Sequence, residues 1–191
     1  MQVPPIQPPH TAYVSFSAEI IPHTAESLIA ACANLVNQGV QEIQLLVSTP
    51  GGAVMNGLNV YHVLRGLPVH IVTHNVGNVD SIGNAVFLAG DERYACPQAT
   101  FMFHGVGFDS QGQRLEEPLL RQCLAGVLAE QKRIGEVIVD RTNLTVKEAN
   151  ALFRKTQTKD AAYAVGAGII HEVRDVQIPA GAPVVQLVFQ R

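Results

Sequence analysis

Residues 42–52 read EIQLLVSTPGG, a short apolar run that ends at a proline and two glycines. The centre of this run, LLV at residues 45–47, is typical of a strand buried inside a parallel sheet. Residues 53–64 then carry apolar side chains at helical spacing, and residues 69–75 (VHIVTHN) form a second buried run. A strand, a helix and another strand in this order indicate a right-handed βαβ unit.

The same alternation continues on both sides of this unit. The neighbouring predictions are a strand at residues 13–20, a helix at 24–38 with Thr24 as its N-cap, a helix at 84–89, strands at 94–96 and 100–103, a helix that starts with a capping box at Thr145, a helix at 161–167, and strands at 169–173 and 184–189. We therefore expect an α/β fold, with a parallel core sheet flanked by helices. The proline-rich residues 1–12 are predicted to form a flexible arm before a single domain at residues 13–191.

Composition narrows the class of protein. Of the 191 residues, 47% are hydrophobic and 15% are charged, which excludes a disordered chain and suggests that apolar surface is left for a second copy. We therefore expect a homo-oligomer. The 16 acidic and 13 basic side chains give a net charge of −3, so the chain lacks the cationic field that holds nucleic acid.

Residues 106–142 are predicted to form a projecting handle. Within it, residues 113–142 carry an apolar stripe at helical spacing that includes Leu124 and Leu128. Because Pro118 fits only the first turn of a helix, the regular part is expected to start nearer Glu116. A helix over residues 113–142, at ~1.5 Å per residue, reaches about 40 Å, which is more than one small domain covers. We expect part of this helix to pack against another subunit, in an assembly such as a ring.

The three cysteines are too widely spaced for a disulfide framework or a C-x-x-C metal site, and they predict a reducing, cytoplasmic location. They are Cys32, Cys96 and Cys123. The four prolines of residues 1–12 argue against a secretory signal, and no run of 18 apolar residues predicts a membrane span.

No cofactor is expected. His70 and His74 are four residues apart on a predicted strand, without a Glu or Cys at ligand spacing, so a metal site is not predicted. The sequence has neither a G-x-x-x-x-G-K-[ST] nor a G-x-G-x-x-G phosphate loop, so the chain is not expected to hydrolyse ATP itself.

Two residues with the chemistry of a nucleophile and a base follow neighbouring strands. Ser81 lies where a buried strand turns into a helix, and His104 closes the strand at residues 100–103. Because parallel strands end at the same edge of a sheet, Ser81 and His104 are expected to meet there, where the imidazole takes the serine proton. Each residue taken alone also has a structural explanation. The serine fits a helix cap, and the histidine fits a hydrogen-bonded residue at the rim of the sheet.

The segment Thr49-Pro50-Gly51-Gly52 ends the preceding strand. Residues without side chains let backbone N–H groups approach a substrate oxygen closely. The Gly52 amide and the amide of Ile82, which follows the serine, are then expected to form a two-donor oxyanion hole. The structural alternative is a tight strand-to-helix turn.

Together these segments resemble the Clp protease proteolytic subunit. The resemblance rests on residues 43–52 (IQLLVSTPGG), residues 57–61 (GLNVY), residues 80–83 (DSIG) with Ala89-Gly90, residues 93–104 (RYACPQATFMFH) and residues 160–171 (DAAYAVGAGIIH). It implies a ClpP/crotonase-type fold and a serine endopeptidase that hydrolyses peptides or unfolded proteins. In the family pattern, Ser81 is the nucleophile and His104 the general base. Gly52 and Ile82 supply the oxyanion donors.

One position departs from the family pattern. The family places its catalytic aspartate five residues before the position of Ala161, where this sequence has Thr156. A threonine orients an imidazole but brings no charge, and the loss of that charge lowers kcat by up to ~10⁴, so weak activity is expected. Asp160 and Asp80 are the alternative third members, although neither has the family position.

The resemblance also bears on partners and on competing functions. The prolines of residues 1–12 do not form the helix with which the family docks a ring-shaped ATPase unfoldase, so an ATPase partner is not predicted. Two other functions stay open. The chain is alternatively a catalytically silent or weakly active structural subunit, or, as the less favoured reading, a crotonase-like acyl-thioester enzyme.

Overall fold

The computed structural model describes residues 10–112 and 114–189, in which eight strands form one sheet. The strands are β1 (Thr11–Ser17), β2 (Glu42–Thr49), β3 (His70–Asp80), β4 (Glu92–Ala95), β5 (Thr100–Phe103), β6 (Gln157–Asp160), β7 (Glu172–Val173) and β8 (Val184–Gln186). The helices are α1 (Pro22–Asn37), α2 (Val54–Gly66), α3 (Gly83–Phe87), α4 (Glu117–Arg141), α5 (Val146–Lys155) and α6 (Ala161–Gly166).

Parallel strands form the centre of the sheet, whose main order is β6-β5-β3-β2-β1-β8. β1, β2 and β3 pair in parallel and are connected by α1 and α2, so the predicted βαβ units are present. Only β6 runs antiparallel to its neighbour among the described strands, at the edge next to β5. The prediction of an α/β fold with a parallel core sheet and flanking helices is confirmed.

The long strand β3 divides the sheet into two branches. Its first half pairs in parallel with β4 through residues 72–75, and its second half pairs in parallel with β5, with Asp80 opposite Met102. The carboxyl ends of β3 and β5 therefore lie side by side at one edge of the sheet. Residues that follow these two strands become neighbours in space.

The buried core includes alternate side chains of β2. Ile43, Leu45 and Val47 are fully buried, whereas Gln44 is half-buried. The sequence pattern predicts that both faces of this strand are covered. The buried side chains of Leu45, Leu46 and Val47 at its centre agree with that prediction, whereas Gln44, on the same face as Leu46, is only half-buried. This face borders an open cavity of about 390 Å³, which residues 174–177 also line.

The beginning of the chain differs from the sequence prediction. β1 includes Ala12, which is fully buried, so the arm predicted for residues 1–12 does not extend that far. Residues 1–9 lie outside the described residues. Thr24 is not the N-cap of α1: its hydroxyl accepts the Ile21 amide at 3.0 Å from within the first turn. Pro22 starts the helix because its fixed φ suits the first helical position.

The long helix α4 starts where Pro118 predicts, with Glu116 as its N-cap. It begins at Glu117 instead of residue 113, because Pro118 fits only the first turn of a helix. Residues 106–112 and 114–116 have no helical structure, so the predicted handle is helical only over its second part. No helix in the two described ranges is long and apolar enough to cross a membrane.

The two halves of α4 differ in their surroundings. The C-terminal half packs on the domain through three buried residues, Ile134, Val137 and Ile138. The N-terminal half exposes four leucines to solvent: Leu119, Leu120, Leu124 and Leu128. The first half of the helix thus presents an apolar surface without a partner inside the described part of this chain.

Some short elements also differ from the predictions. β6 was not predicted, because its sequence QTKD lacks the alternation of apolar and polar residues that indicates a strand. It is a strand because it pairs with β5. β3 continues to Asp80 instead of ending at residue 75. The capping box at Thr145 is confirmed, since Glu148 N donates to Thr145 Oγ1 at 3.3 Å and Thr145 N donates to Glu148 Oε2 at 2.8 Å.

Candidate active site

Ser81 lies in a sharp turn between β3 and α3. Its φ of 56° is a left-handed conformation that residues other than glycine rarely adopt. The Ser81 amide donates to the Met102 carbonyl at 2.8 Å. The buried Asn84 side chain donates to the carbonyls of Ser81 and Met102 at 3.0 and 2.9 Å. These bonds stabilise a strained turn that holds the half-buried Ser81 side chain at the end of the strand.

His104 is the first residue after β5, the strand beside β3. Its Nδ1 atom lies 2.8 Å from the Gly105 carbonyl oxygen. Because a carbonyl oxygen only accepts, the ring proton belongs on Nδ1, and Nε2 keeps a free lone pair. An imidazole in this tautomer is ready to accept a proton at Nε2.

Ser81 and His104 line the same open cavity, which has a volume of about 360 Å³. Within the described residues, no hydrogen bond joins their side chains. Hydrogen bonds between catalytic groups are often long in unliganded enzymes and tighten when substrate is present. Ser81 and His104 thus lie at the same edge of the sheet, beside one cavity, as the sequence predicted.

Two glycines pack closely beside the serine turn. Gly51 has φ of 89°, and a Cβ on it would lie 2.6 Å from Ser81 Cβ. Gly52 has φ of 145°, and a Cβ on it would lie 2.3 Å from the Ile20 carbonyl oxygen. Both positions therefore require glycine. The close approach ties the end of β2 to the chain at Ile20, whose amide donates to the Gly51 carbonyl at 2.7 Å.

The two amides predicted as oxyanion donors are not used elsewhere in the described structure. Among residues 10–112 and 114–189, neither the Gly52 N–H nor the Ile82 N–H has a hydrogen-bond acceptor. Gly52 lines the cavity, and Ile82 directly follows Ser81. Its side chain is fully buried against Gly57, where a Cβ would lie 2.3 Å from Ile82 Cγ1. Such free donors suit an oxygen that gains negative charge.

Thr156 lies next to the end of the β5–β6 ladder. Phe103 pairs with Gln157 in this antiparallel ladder, so Thr156 and His104 are the next two residues outward. Thr156 caps α5 with φ of 42° and is exposed. No hydrogen bond joins it to His104 within the described residues, and the Gly105 carbonyl accepts from His104 Nδ1 instead.

The two alternative third residues have other partners. Asp160 pairs with Thr100, the first residue of β5, whereas His104 follows the last residue of that strand. The Oδ1 atom of Asp160 accepts a hydrogen bond from the Tyr163 amide at 2.8 Å, so Asp160 is the N-cap of α6. Asp80 Oδ2 accepts from Asn78 Nδ2 at 2.7 Å. Neither carboxylate lines the cavity of Ser81 and His104.

The walls of the cavity contain groups that the sequence analysis missed. Apolar side chains form most of the lining: Val54, Met55, Phe103, Val106, Ile134 and Phe153. Glu130 of α4 adds a carboxylate. A main-chain carbonyl such as that of Gly105 carries no signal in a sequence. Glu130 has a weak sequence signal, because residues four apart lie on the same face of a helix and Ile134 is buried.

Ser81, His104 and Gly52, whose amide is unpaired within the described residues, line one cavity, and the unpaired Ile82 amide directly follows the serine. A serine, an imidazole with a free acceptor nitrogen and two free amides are the groups with which serine peptidases transfer acyl groups. A family model described as Clp protease matches residues 10–177 of this chain. The chain therefore belongs to the Clp protease family and is a serine peptidase. The resemblance noted in the sequence is confirmed.

One curated relative illustrates the degree of similarity. The chain is 27% identical over 141 residues to the ATP-dependent Clp protease proteolytic subunit 1 of Leifsonia xyli subsp. xyli (strain CTCB07). The match covers 71% of this chain and 68% of the relative.

Proposed function

We propose that this protein hydrolyses peptide bonds through an acyl-enzyme formed on Ser81. The observation that carries the proposal is that Ser81, His104 and Gly52 line one cavity although they come from three separate segments. Gly52 and Ile82 provide the amides for the oxyanion.

The reaction follows from the positions of these groups. Ser81 Oγ attacks the substrate carbonyl carbon while its proton passes to His104 Nε2. The carbonyl oxygen becomes an oxyanion, which accepts from the Gly52 and Ile82 amides. The C–N bond then breaks, and His104 returns the proton to the leaving amine. Water hydrolyses the remaining ester by the same steps, with His104 again as the base, and frees Ser81.

We infer slow turnover from the surroundings of His104. During the reaction the imidazole becomes a cation. The Gly105 carbonyl orients the ring through Nδ1 but carries only a dipole. Thr156 at the third position brings a neutral hydroxyl, and the carboxylates of Asp160 and Asp80 are used elsewhere. Without a carboxylate hydrogen-bonded to Nδ1 the imidazolium is stabilised less, which costs up to ~10⁴ in kcat in enzymes that lose this aspartate.

The serine is tested by covalent labelling. A fluorophosphonate probe is expected to label the native protein on Ser81 and to leave Ser81→Ala unlabelled, because only an activated hydroxyl reacts. Ser27→Ala, on α1 and away from the cavity, is the control and should label like the native protein. If the native protein is not labelled above a heat-denatured sample, the chain is a catalytically silent subunit and the proposal is wrong.

Assembly and location are part of the same proposal. We infer a homo-oligomer, with the exposed leucines of α4 as a contact between subunits and a closed ring as one arrangement that satisfies them. Residues 13–191 act as one peptidase domain in a reducing, cytoplasmic environment. Its substrates are peptides or unfolded proteins, and the proposal includes no ATPase partner, nucleic acid, metal or cofactor.

A further inference from the structure

Among the described residues that line the cavity, two are ionisable, His104 and Glu130. The mechanism uses His104 as the base and leaves Glu130 without a role. A carboxylate in a substrate cavity costs solvation free energy unless a positive group compensates for it. The chemistry of this cavity therefore depends on what Glu130 faces.

Glu130 lies on α4, one turn before the buried Ile134, and is half-buried. Within the described residues it forms no ion pair and accepts no hydrogen bond from a side chain. The nearby cations have other partners. Lys132 lies 3.7 Å from Glu136, and Arg133 Nη1 lies 3.5 Å from Met55 Sδ. Arg133 also lines a different cavity, on the side of α2 that carries His62 and Arg65.

The rest of the cavity is apolar. Its walls include Val54, Met55, Val106 and Phe153, and its volume is about 360 Å³. The side chains of lysine and arginine combine an aliphatic stem, which packs on such walls, with a cationic head that a carboxylate binds. An aspartate or glutamate side chain of a substrate is repelled by the same carboxylate.

We propose that Glu130 makes this peptidase prefer substrates with lysine or arginine at the residue that supplies the carbonyl of the cleaved bond. The residue that supplies this carbonyl is attached to the carbon that Ser81 attacks, so its side chain is the substrate side chain next to the cavity that Ser81 lines. The inference rests on the proposed function and deepens it, because it names the substrate class of the same site. Glu130 is a specificity-determining residue and takes no part in the bond chemistry.

The experiment compares fluorogenic peptides that differ only at this residue, which is arginine, norleucine or glutamate. Each peptide is prepared in two forms, acetylated at the N-terminus and with a free N-terminal amine, so that binding of that amine by Glu130 is measured separately. We expect kcat/KM for the arginine peptide to exceed kcat/KM for the norleucine peptide by roughly 10-fold, because a partly exposed ion pair stabilises a complex only modestly. The glutamate peptide is expected to be the poorest substrate.

Variants assign the preference to Glu130. Glu130→Gln should bring the arginine-to-norleucine ratio of kcat/KM close to 1, and Glu130→Lys should favour the glutamate peptide over the arginine peptide. Glu136→Gln is the matched control, because it makes the same change on the same helix at a residue outside this cavity. Its ratio should equal that of the native protein.

The outcomes separate this inference from the proposed function. If the peptides are cleaved in a Ser81-dependent manner but the ratio is the same in native protein and Glu130→Gln, the role of Glu130 is refuted and the peptidase stands. If only peptides with a free N-terminal amine show a preference that depends on Glu130, the carboxylate binds the chain terminus and the inference is wrong. If no peptide is cleaved and Ser81 is not labelled, the proposed function and this inference fall together.

Discussion

Thr156 combines two unfavourable features at a single residue. Its φ of 42° is a left-handed conformation, which β-branched side chains rarely adopt, and its hydroxyl is neutral at the position where the family has a carboxylate. We expect Thr156→Asp to raise kcat by up to ~10⁴, because an aspartate there stabilises the imidazolium of His104. Steady-state hydrolysis of a fluorogenic peptide measures the change.

Thr156→Asn is the matched control for that substitution. Asparagine tolerates the left-handed conformation as well as aspartate does but adds no charge. It should stabilise the fold by about 1 kcal/mol, as judged by urea unfolding, and leave kcat near the native value. If Asn and Asp raise kcat equally, relief of backbone strain is the cause and the electrostatic argument fails. If neither raises kcat, His104 is not limited by its third partner.

Ser81 and His104 are expected to act as a unit. Ser81→Ala and His104→Ala should each abolish the peptidase activity above the buffer rate, and the double variant should be no worse than either single one. The reason is that the base has no proton to accept once the serine is removed. Losses that add in the double variant would place the two residues in different sites. His62→Ala, on α2 at a different cavity, serves as the control.

At the scale of elements, α4 has two distinct halves. Its C-terminal half is anchored by Ile134, Val137 and Ile138, whereas Leu124 and Leu128 in its N-terminal half are 58% and 55% exposed. Four of the exposed large apolar side chains of the described residues lie on this half-helix, and exposed apolar side chains that cluster in this way mark contact sites. This asymmetry is the basis for proposing that the N-terminal half contacts another copy of the chain.

Replacing Leu124 and Leu128 together with glutamate is expected to dissociate the oligomer. Each glutamate would place an unpaired charge in the contact, which costs several kcal/mol when it is desolvated. Analytical ultracentrifugation at micromolar concentration measures the result. The control is Gln122→Glu with Ala129→Glu, which adds the same charges to exposed positions of the same helix outside the leucine stripe. A native protein that sediments as a monomer would contradict the proposed assembly.

At the scale of the whole molecule, two histidines with lowered pKa values, the buried His74 and the more exposed His171, connect folding to pH. His74 is 3% exposed, and its Nε2 donates to the Arg174 carbonyl at 2.9 Å. It also faces Tyr94, Cys96 and Asp175. Burial lowers the pKa of His74 below its usual value of 6.5. The pKa of His171 is lowered as well, mainly by burial and then by the charge of Arg93.

These pKa shifts set the direction of the pH dependence. Below pH 6.5 the unfolded chain binds protons at these histidines that the folded chain does not, so the free energy of unfolding falls as the pH falls. We expect urea midpoints to decrease from pH 7.5 to 5.5 at a fixed protein concentration. His74→Gln keeps an N–H donor but does not titrate, and should make this decrease smaller. An unchanged slope in His74→Gln would contradict the argument.

The sequence by itself determined the alternation of strands and helices in the first hundred residues, and it singled out Ser81 and His104 as candidate catalytic residues. Apolar periodicity and turn residues act over a few neighbours, so the run at residues 42–52, the following helix and the parallel return are encoded locally. Because parallel strands share an edge, the meeting of Ser81 and His104 also followed from the sequence. The glycines beside them mark a close approach that no other residue permits.

Only the tertiary structure decided what surrounds these residues. The Gly105 carbonyl accepts from His104, and a main-chain group has no signature in a sequence. The position of Thr156 follows from the pairing of β5 with β6, a polar strand whose register is fixed by its partner. Glu130 lines the cavity because the C-terminal half of α4 packs on the domain. The helical pattern in the sequence predicts the buried face of α4 but not the part of the fold on which that face packs. Such contacts depend on long-range packing, which a local pattern does not encode.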